Sequence, residues 1–80
     1  MLTAAQIKAA RALIDWSQPQ LATASGLSMP TIRRMEGPLG PGRSTAANVE
    51  AVQRALEEAG VIFIDAGEVK PGGPGVRLKP

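Results

Sequence analysis

A series of helix-start signals in the first half of the chain constrains the fold most strongly. Thr3 and Ser17 each lie three residues before a glutamine, which is the capping-box spacing that begins an α-helix. Ser28 is followed by Pro30, and proline is tolerated in a first helical turn because its missing N–H would have no partner there. Gly26 lies between the last two signals and predicts a turn, since glycine adopts the left-handed conformation at low cost. The pattern predicts three short helices before residue 37.

Further elements are predicted in the second half. A fourth helix begins at Ser44 or Thr45 and ends just before Gly60. The apolar, β-branched stretch 61–64 predicts a strand, and 76–78 predicts a short partner strand. Apolar positions at helical spacing are expected to face one core, while Lys8, Arg11 and Asp15 are expected to point away from it. The core positions are Ile7, Ala10, Ile14, Leu21, Ile32, Met35, Val49, Val52 and Leu56.

Composition excludes several function classes. The 80 residues include no cysteine and no histidine, which excludes disulfide frameworks, Cys/His zinc sites, thiol nucleophiles and imidazole bases. We therefore expect no catalytic residues, no metal site and no cofactor. No apolar run approaches the ~20 residues that span a bilayer, and the N-terminus lacks a secretory pattern. These features predict a non-enzymatic, cytoplasmic protein with no membrane partner.

Charge is distributed unevenly along the chain, although the net charge is only +2. Residues 1–43 carry five basic and two acidic side chains, whereas residues 44–69 carry one basic and five acidic side chains. Residues 70–80 add three basic side chains. The positive first half predicts a surface that meets a polyanion, with the acidic stretch facing elsewhere.

The second and third predicted helices, with a tight glycine turn between them, form a helix-turn-helix. Ala22 is small where the second helix must cross the third closely, while Leu21 and Leu27 are expected to face the interior. This arrangement holds the third helix outward, where it fits the major groove of DNA.

The residues that carry a family resemblance are Ser17-Gln18-Pro19-Gln20-Leu21-Ala22, Ser25-Gly26-Leu27-Ser28 and Thr31-Ile32-Arg33-Arg34-Met35-Glu36-Gly37. From Ile7 to about Ala59 the chain resembles the Cro/CI-type (xenobiotic-response-element, XRE) helix-turn-helix family of transcriptional regulators. The resemblance implies a mainly α, lambda-repressor-like bundle of four to five helices, to which this sequence adds a short C-terminal β-strand or hairpin. It also implies a repressor or autoregulator that binds a palindromic operator in double-stranded DNA as a homodimer.

The resemblance also assigns DNA-contacting roles to matching positions. Gln18 is expected to contact the DNA backbone and brace the first recognition residue. Family recognition helices often have Gln, Arg or Ser where this chain has Met29 and Pro30. Neither of these side chains can donate a hydrogen bond to a base, although both can pack against a thymine methyl. Arg34 is therefore the best candidate for base recognition, worth about 1–3 kcal/mol of discrimination if it binds guanine with two hydrogen bonds. The expected DNA-binding residues are Gln18, Ser28, Met29, Pro30, Thr31, Arg33, Arg34 and Arg43, with Lys8 as a further phosphate contact.

Each of these residues also has a structural interpretation. Gln18 would then serve only the start of its helix, and Arg33 and Arg34 would form a solvated face. Glu36 is expected to make an ion pair or a helix-end contact. Trp16 is expected to fill the gap between the first two helices.

Residues 1–60 are predicted to form the DNA-binding bundle, and residues 61–80 a strand or hairpin tail that contributes to dimerisation. The expected dimerisation residues are Val61, Ile62, Phe63 and Ile64, which are too apolar for a bare edge strand. They would pair either with residues 76–78 of the same chain or across the dimer axis, and the sequence leaves both alternatives open.

Two other functions fit the same sequence. The chain would be an antitoxin if a small toxin bound its C-terminal tail, or a protein-interaction module if the helix-turn-helix bound no DNA. The segment from Gly37 to Ser44 imitates a phosphate-binding P-loop but follows a predicted helix, and Pro38 and Pro41 remove two N–H donors from it. We therefore interpret 37–43 as a loop that places Arg43 near the DNA backbone.

Overall fold

Four α-helices and a two-stranded sheet make up residues 2–80, the part of the chain that the computed structural model describes. The mainly helical prediction with a short C-terminal hairpin is confirmed at this level. None of the helices in the described part is long and apolar enough to cross a membrane. The elements are α1 (Ala4–Leu13), α2 (Gln18–Ser25), α3 (Met29–Met35), α4 (Ala46–Glu58), β1 (Val61–Ile64) and β2 (Gly75–Leu78), with a 3₁₀ turn at Gly40–Arg43.

A side-chain cap begins each helix, as predicted. At Thr3 the cap is reciprocal: its Oγ1 accepts from the Gln6 N–H at 3.1 Å, and the Gln6 Oε1 accepts from the Thr3 N–H at 2.9 Å. Ser17 and Gln20 repeat this box at the start of α2. Because these caps satisfy N–H groups that a helix leaves unpaired, local sequence determines where the helices begin. The four N-cap residues are Thr3, Ser17, Ser28 and Thr45.

Two left-handed residues end α1 and α2. Gly26, with φ of 75°, ends α2 as predicted. α1 ends at Leu13, because Asp15 has φ of 57° and the chain turns away after Ile14. The Trp16 N–H donates to the Arg11 oxygen at 2.9 Å across this turn, which is the pattern of a Schellman motif. Asp15 therefore occupies a position that usually belongs to glycine.

The core forms where all four helices meet β1. Buried side chains from α1, α2, α3 and α4 pack together there, and Val61 of β1 completes the cluster. Ile14, Trp16, Leu27 and Val49 are half-buried around it. The largest fully buried side chains are Ile7, Leu21, Ile32, Met35, Leu56, Val52 and Val61.

The segment predicted as a plain loop, 37–43, is partly helical and packed. Residues 40–43 form a 3₁₀ turn whose Pro41 is buried. Gly40 has φ of 62°, and a Cβ built there would lie 3.8 Å from the Cβ of Ala4 at the start of α1. Tertiary packing thus orders a stretch whose Gly and Pro content alone indicates irregular structure.

β1 and β2 form an antiparallel pair within the chain, with Val61 opposite Leu78 and Ile64 opposite Gly75. Of the two alternatives that the sequence left open, the structure has the intrachain one. Gln6 fastens this hairpin to α1, because its buried Nε2 donates to the Ile64 oxygen at 3.3 Å and to the Gly75 oxygen at 3.0 Å.

Candidate nucleic-acid interface

The third helix has one buried side and one exposed, basic side. Ile32 and Met35 are each 1% exposed and face the core. Arg33 and Arg34 are exposed on the other side. No acidic side chain of residues 2–80 forms an ion pair with either arginine. Both guanidinium groups are therefore free to bind an anionic ligand, and the buried side fixes the direction in which the helix presents them.

The start of α3 offers few hydrogen-bond donors. The Ser28 Oγ accepts from the Thr31 N–H at 3.3 Å and lies 2.9 Å from the Thr31 Oγ1. Since one of the two hydroxyls must donate to the other, only one hydroxyl proton remains for an external partner. Pro30 is exposed but has no N–H. Ser28 thus serves mainly to cap the helix, and Arg33 and Arg34 carry most of the side-chain donors that α3 exposes.

Met29 is less exposed to solvent than its position in the sequence indicates. The sequence places it at the first helical position, open to solvent, whereas the structure has it half-buried and packed against the core. The cause is helical spacing, because Met29 lies three residues before Ile32 on the same side of α3. Its expected contact with a base edge is limited to the part of the side chain that remains exposed.

A buried carboxylate lies behind the basic face. Glu36 is 6% exposed and follows the last residue of α3. Its Oε2 accepts from the Arg11 Nε at 2.7 Å, and its Oε1 accepts from the Arg11 Nη2 at 2.7 Å. The Arg11 Nη1 also donates to the Trp16 oxygen at 3.0 Å. The ion pair expected for Glu36 is therefore present, and it joins α1 to the end of α3.

The same ion pair corrects the prediction for Arg11. The sequence-based interpretation pointed Arg11 away from the core, but its side chain is 19% exposed and directed at Glu36. The hydrogen bonds to Glu36 raise the pKa of Arg11 above its ordinary value against the opposing effect of burial. Arg11 lies four residues after Ile7, on the same side of α1, and this spacing could have identified it.

Gln18 lies at the first position of α2, where its Nε2 donates to the Glu36 Oε1 at 3.1 Å. The structure thus ties this half-buried side chain to the carboxylate that also holds Arg11. Arg11, Gln18 and Glu36, hereafter the buried polar cluster, connect α1, α2 and the end of α3. The hydrogen bond fixes the orientation of Gln18 at the edge of the basic face.

The remaining predicted phosphate contacts are exposed cations on other elements. Arg43 ends the 3₁₀ turn, which packs beside α3. Lys8 is exposed on α1, the helix that carries Arg11. Neither forms an ion pair within residues 2–80. Arg33, Arg34 and Arg43 therefore lie on neighbouring elements, whereas Lys8 belongs to a separate helix.

The four predicted dimerisation residues differ in exposure. Val61 is 1% exposed and belongs to the core, so its side chain is occupied within the chain. Ile62, Phe63 and Ile64 are half-buried, and Phe63 packs on the core. Only Ile62 and Ile64 keep apolar surface on the other side of the strand.

Other parts of the described chain offer weaker candidate binding sites. Trp16 is half-buried against the core, and it borders a shallow groove with Pro19 and Thr23 of α2. Residues 2–80 contain no group of three acidic side chains placed to hold a metal ion. The exposed arginines of α3 are thus the best-defined candidate site.

No protein-family model matches the chain, and no curated protein is a significant match to it. Function is therefore inferred from its own side chains: the exposed arginines of α3, the capped start of that helix and the buried polar cluster behind it.

Proposed function

We propose that this protein is a sequence-specific DNA-binding transcriptional regulator, a repressor or autoregulator. In this proposal α2, the turn around Gly26 and α3 act as a helix-turn-helix, and α3 enters the major groove. The observation that carries the proposal is the exposure of Arg33 and Arg34, which form no ion pair within residues 2–80, on a helix whose other side is buried in the core. A guanidinium suits both phosphate and guanine, because its N–H groups match paired acceptors.

Each basic residue has a defined role in this proposal. Arg34 recognises a base, and Arg33 and Arg43 bind phosphates on either side of it. Gln18 contacts the backbone through the part of its amide that Glu36 does not occupy. The buried polar cluster keeps α2 and α3 in a fixed relation, so that little conformational freedom is lost when DNA binds.

We further propose that two copies bind one palindromic operator. Two recognition helices would then enter successive major grooves about 34–36 Å apart. A dimer bound in this way blocks polymerase by occupying the promoter. No other chemistry is required of the protein.

The test is duplex DNA binding by fluorescence anisotropy over a range of salt concentrations. Arg33→Ala is expected to weaken binding to all sequences and to reduce the slope of log affinity against log salt by about one. Arg34→Ala is expected to relax sequence preference by about 1–3 kcal/mol at one base pair. Arg54→Ala is the matched control, because Arg54 is also an exposed helical arginine but lies on α4 with Glu50 and Glu57 around it.

The variants also separate the proposal from its main alternative. Pro30 is exposed and Met29 half-buried at the start of α3, and neither side chain can donate a hydrogen bond. This apolar start favours, as a second candidate, a protein-interaction module that uses the helix-turn-helix without binding DNA. Equal DNA affinity of R33A, R34A and R54A would reject the DNA-binding proposal and favour that module.

A further inference from the structure

The two faces of the hairpin are both apolar, although only one of them packs on the core. Val61 is in the core, and Phe63 and its cross-strand partner Val76 pack against it. Side chains alternate along a strand, so Ile62 and Ile64 lie on the other face. A sheet with one face on the core normally places polar residues on the opposite face. The two isoleucines break this rule.

Ile62 and Ile64 are only partly covered by other side chains. Ile64 lies opposite Gly75, which has no side chain to pack beside it, and Ile62 lies opposite Arg77. Val69, from the connection between the strands, borders the same surface and is itself 62% exposed. Together these side chains border an open groove of about 370 Å³. Ile62, Ile64, Val69, Glu68 and Arg77 are hereafter the outer sheet face.

The outer sheet face carries one acidic and one basic side chain. Glu68 and Arg77 both line the groove and are both exposed. Within residues 2–80 they form no ion pair with each other. The Glu68 Oε1 accepts from the Asp65 N–H at 2.9 Å, and a carboxylate has further lone pairs with which to bind a cation. Each chain therefore carries one acidic and one basic side chain at this groove, and within residues 2–80 the two do not pair with each other.

We infer that the outer sheet face binds a second copy of this chain. An apolar centre with one acid and one base beside it is complementary to itself after a two-fold rotation, as an isologous interface requires. Arg77 of one copy then meets the partner subunit's Glu68, and the isoleucines and Val69 of both copies lose contact with water. Both strand faces are covered in the dimer, which explains why both are apolar.

This inference deepens the proposed function, since a palindromic operator is bound by two copies, but it is tested without DNA. Sedimentation equilibrium of the full chain, from micromolar to millimolar concentration, gives the dimer dissociation constant. Arg77→Glu and Glu68→Arg are each expected to weaken the dimer about tenfold or more, because each places two like-charge contacts in the interface. Lys70→Glu changes charge equally in the same exposed segment but outside the groove, and it is expected to have little effect.

An equimolar mixture of the two single variants provides the sharper test. In the mixed dimer every contact again joins opposite charges, so the affinity lost by R77E and E68R alone is expected to return. Restoration by the double variant R77E/E68R but not by mixing would show an intrachain pair and overturn the inference. A chain that stays monomeric throughout, or a dimer that neither charge reversal weakens, would also overturn it.

Glu68→Arg also removes the hydrogen bond from the Asp65 N–H, which destabilises the segment for a reason unrelated to the dimer. A second variant without this effect therefore provides an independent test. Val69→Lys alters an exposed side chain of the same face, and it is expected to weaken the dimer while leaving the far-UV circular dichroism unchanged. A dimer that V69K leaves at full affinity would contradict the inference. A stable dimer that binds no DNA would instead reject the proposed function and leave this inference standing.

Discussion

Removal of one partner from the Arg11–Glu36 ion pair is expected to destabilise the protein severely. In Arg11→Met the Glu36 carboxylate, which is 6% exposed, loses both 2.7 Å hydrogen bonds and keeps only the one from Gln18. A buried charge left without its partner costs about 3–5 kcal/mol. A domain of this size has a total stability of about 4–12 kcal/mol, so R11M would lose a large share of it.

Replacement of both partners is expected to cost much less than the two single changes together. Glu36→Gln keeps the shape and an acceptor, so its cost is about 1.5–3 kcal/mol from lost charge-assisted hydrogen bonds. In R11M/E36Q no buried charge remains unpaired. The double-mutant cycle is therefore expected to give a coupling free energy of about 2 kcal/mol, within the range found for residues in one network.

Urea unfolding, followed by Trp16 fluorescence and by far-UV circular dichroism, measures these free energies. Trp16 is the single tryptophan, and its backbone oxygen accepts from Arg11, so the fluorescence reports on the site itself. Arg54→Met, at an exposed position of α4, is the control and is expected to change stability by less than about 0.5 kcal/mol. A cost for R11M below about 1 kcal/mol, or a double variant whose cost equals the sum, would refute this reasoning.

The pH dependence of the same pair follows from the raised pKa of Arg11. A group whose pKa is higher in the folded than in the unfolded state contributes stability below its unfolded-state pKa and loses it as pH rises through the folded-state pKa. For arginine both values lie far above neutrality. The stability that Arg11 contributes is measured as the difference in unfolding free energy between wild type and R11M. Titration of Arg11 is therefore expected to leave this difference unchanged between neutral and moderately alkaline pH.

Three further predictions concern single positions. Gly26→Ala is expected to cost about 1–2 kcal/mol in urea unfolding, because φ is 75° while nothing lies within 4 Å of the added Cβ; full wild-type stability would contradict the strain. Asp15→Gly is expected to raise stability by up to about 1 kcal/mol, since φ is 57°, and a loss would show that the aspartate side chain has a role of its own. Gln6→Glu places a carboxylate oxygen against the Ile64 and Gly75 oxygens and is expected to cost about 1–3 kcal/mol, with faster amide exchange in the hairpin than in α4; uniform exchange would contradict a local effect.

Local signals predicted the helix starts well, because a cap depends only on residues three positions apart. Thr3, Ser17 and Ser28 each begin a helix where the sequence indicates one, and Gly26 ends α2. The left-handed Asp15 was missed, since nothing in its side chain resembles glycine. The strand at 61–64 and its intrachain partner were within reach of the sequence, although the sequence alone could not choose between pairing within and between chains.

The candidate site was predicted less completely, because its geometry depends on contacts between distant residues. Arg33 and Arg34 are exposed as expected. An ion pair was expected for Glu36, but Arg11 was not identified as its partner, because the two residues are 25 positions apart and only packing brings α1 against the end of α3. Gln18 was expected at the DNA backbone, and its bond to Glu36 could not be foreseen without that packing.

Selection from a random duplex library by the purified full chain, compared with selection by Arg34→Ala, tests DNA recognition by α3 most directly. The wild type is expected to enrich a palindrome whose half-sites lie about one helical turn apart, or a multiple of it. R34A is expected to lose preference at one position in each half-site. Folded wild-type protein that enriches no motif, or the same motif enriched equally by R34A, would contradict recognition of DNA by the exposed face of α3.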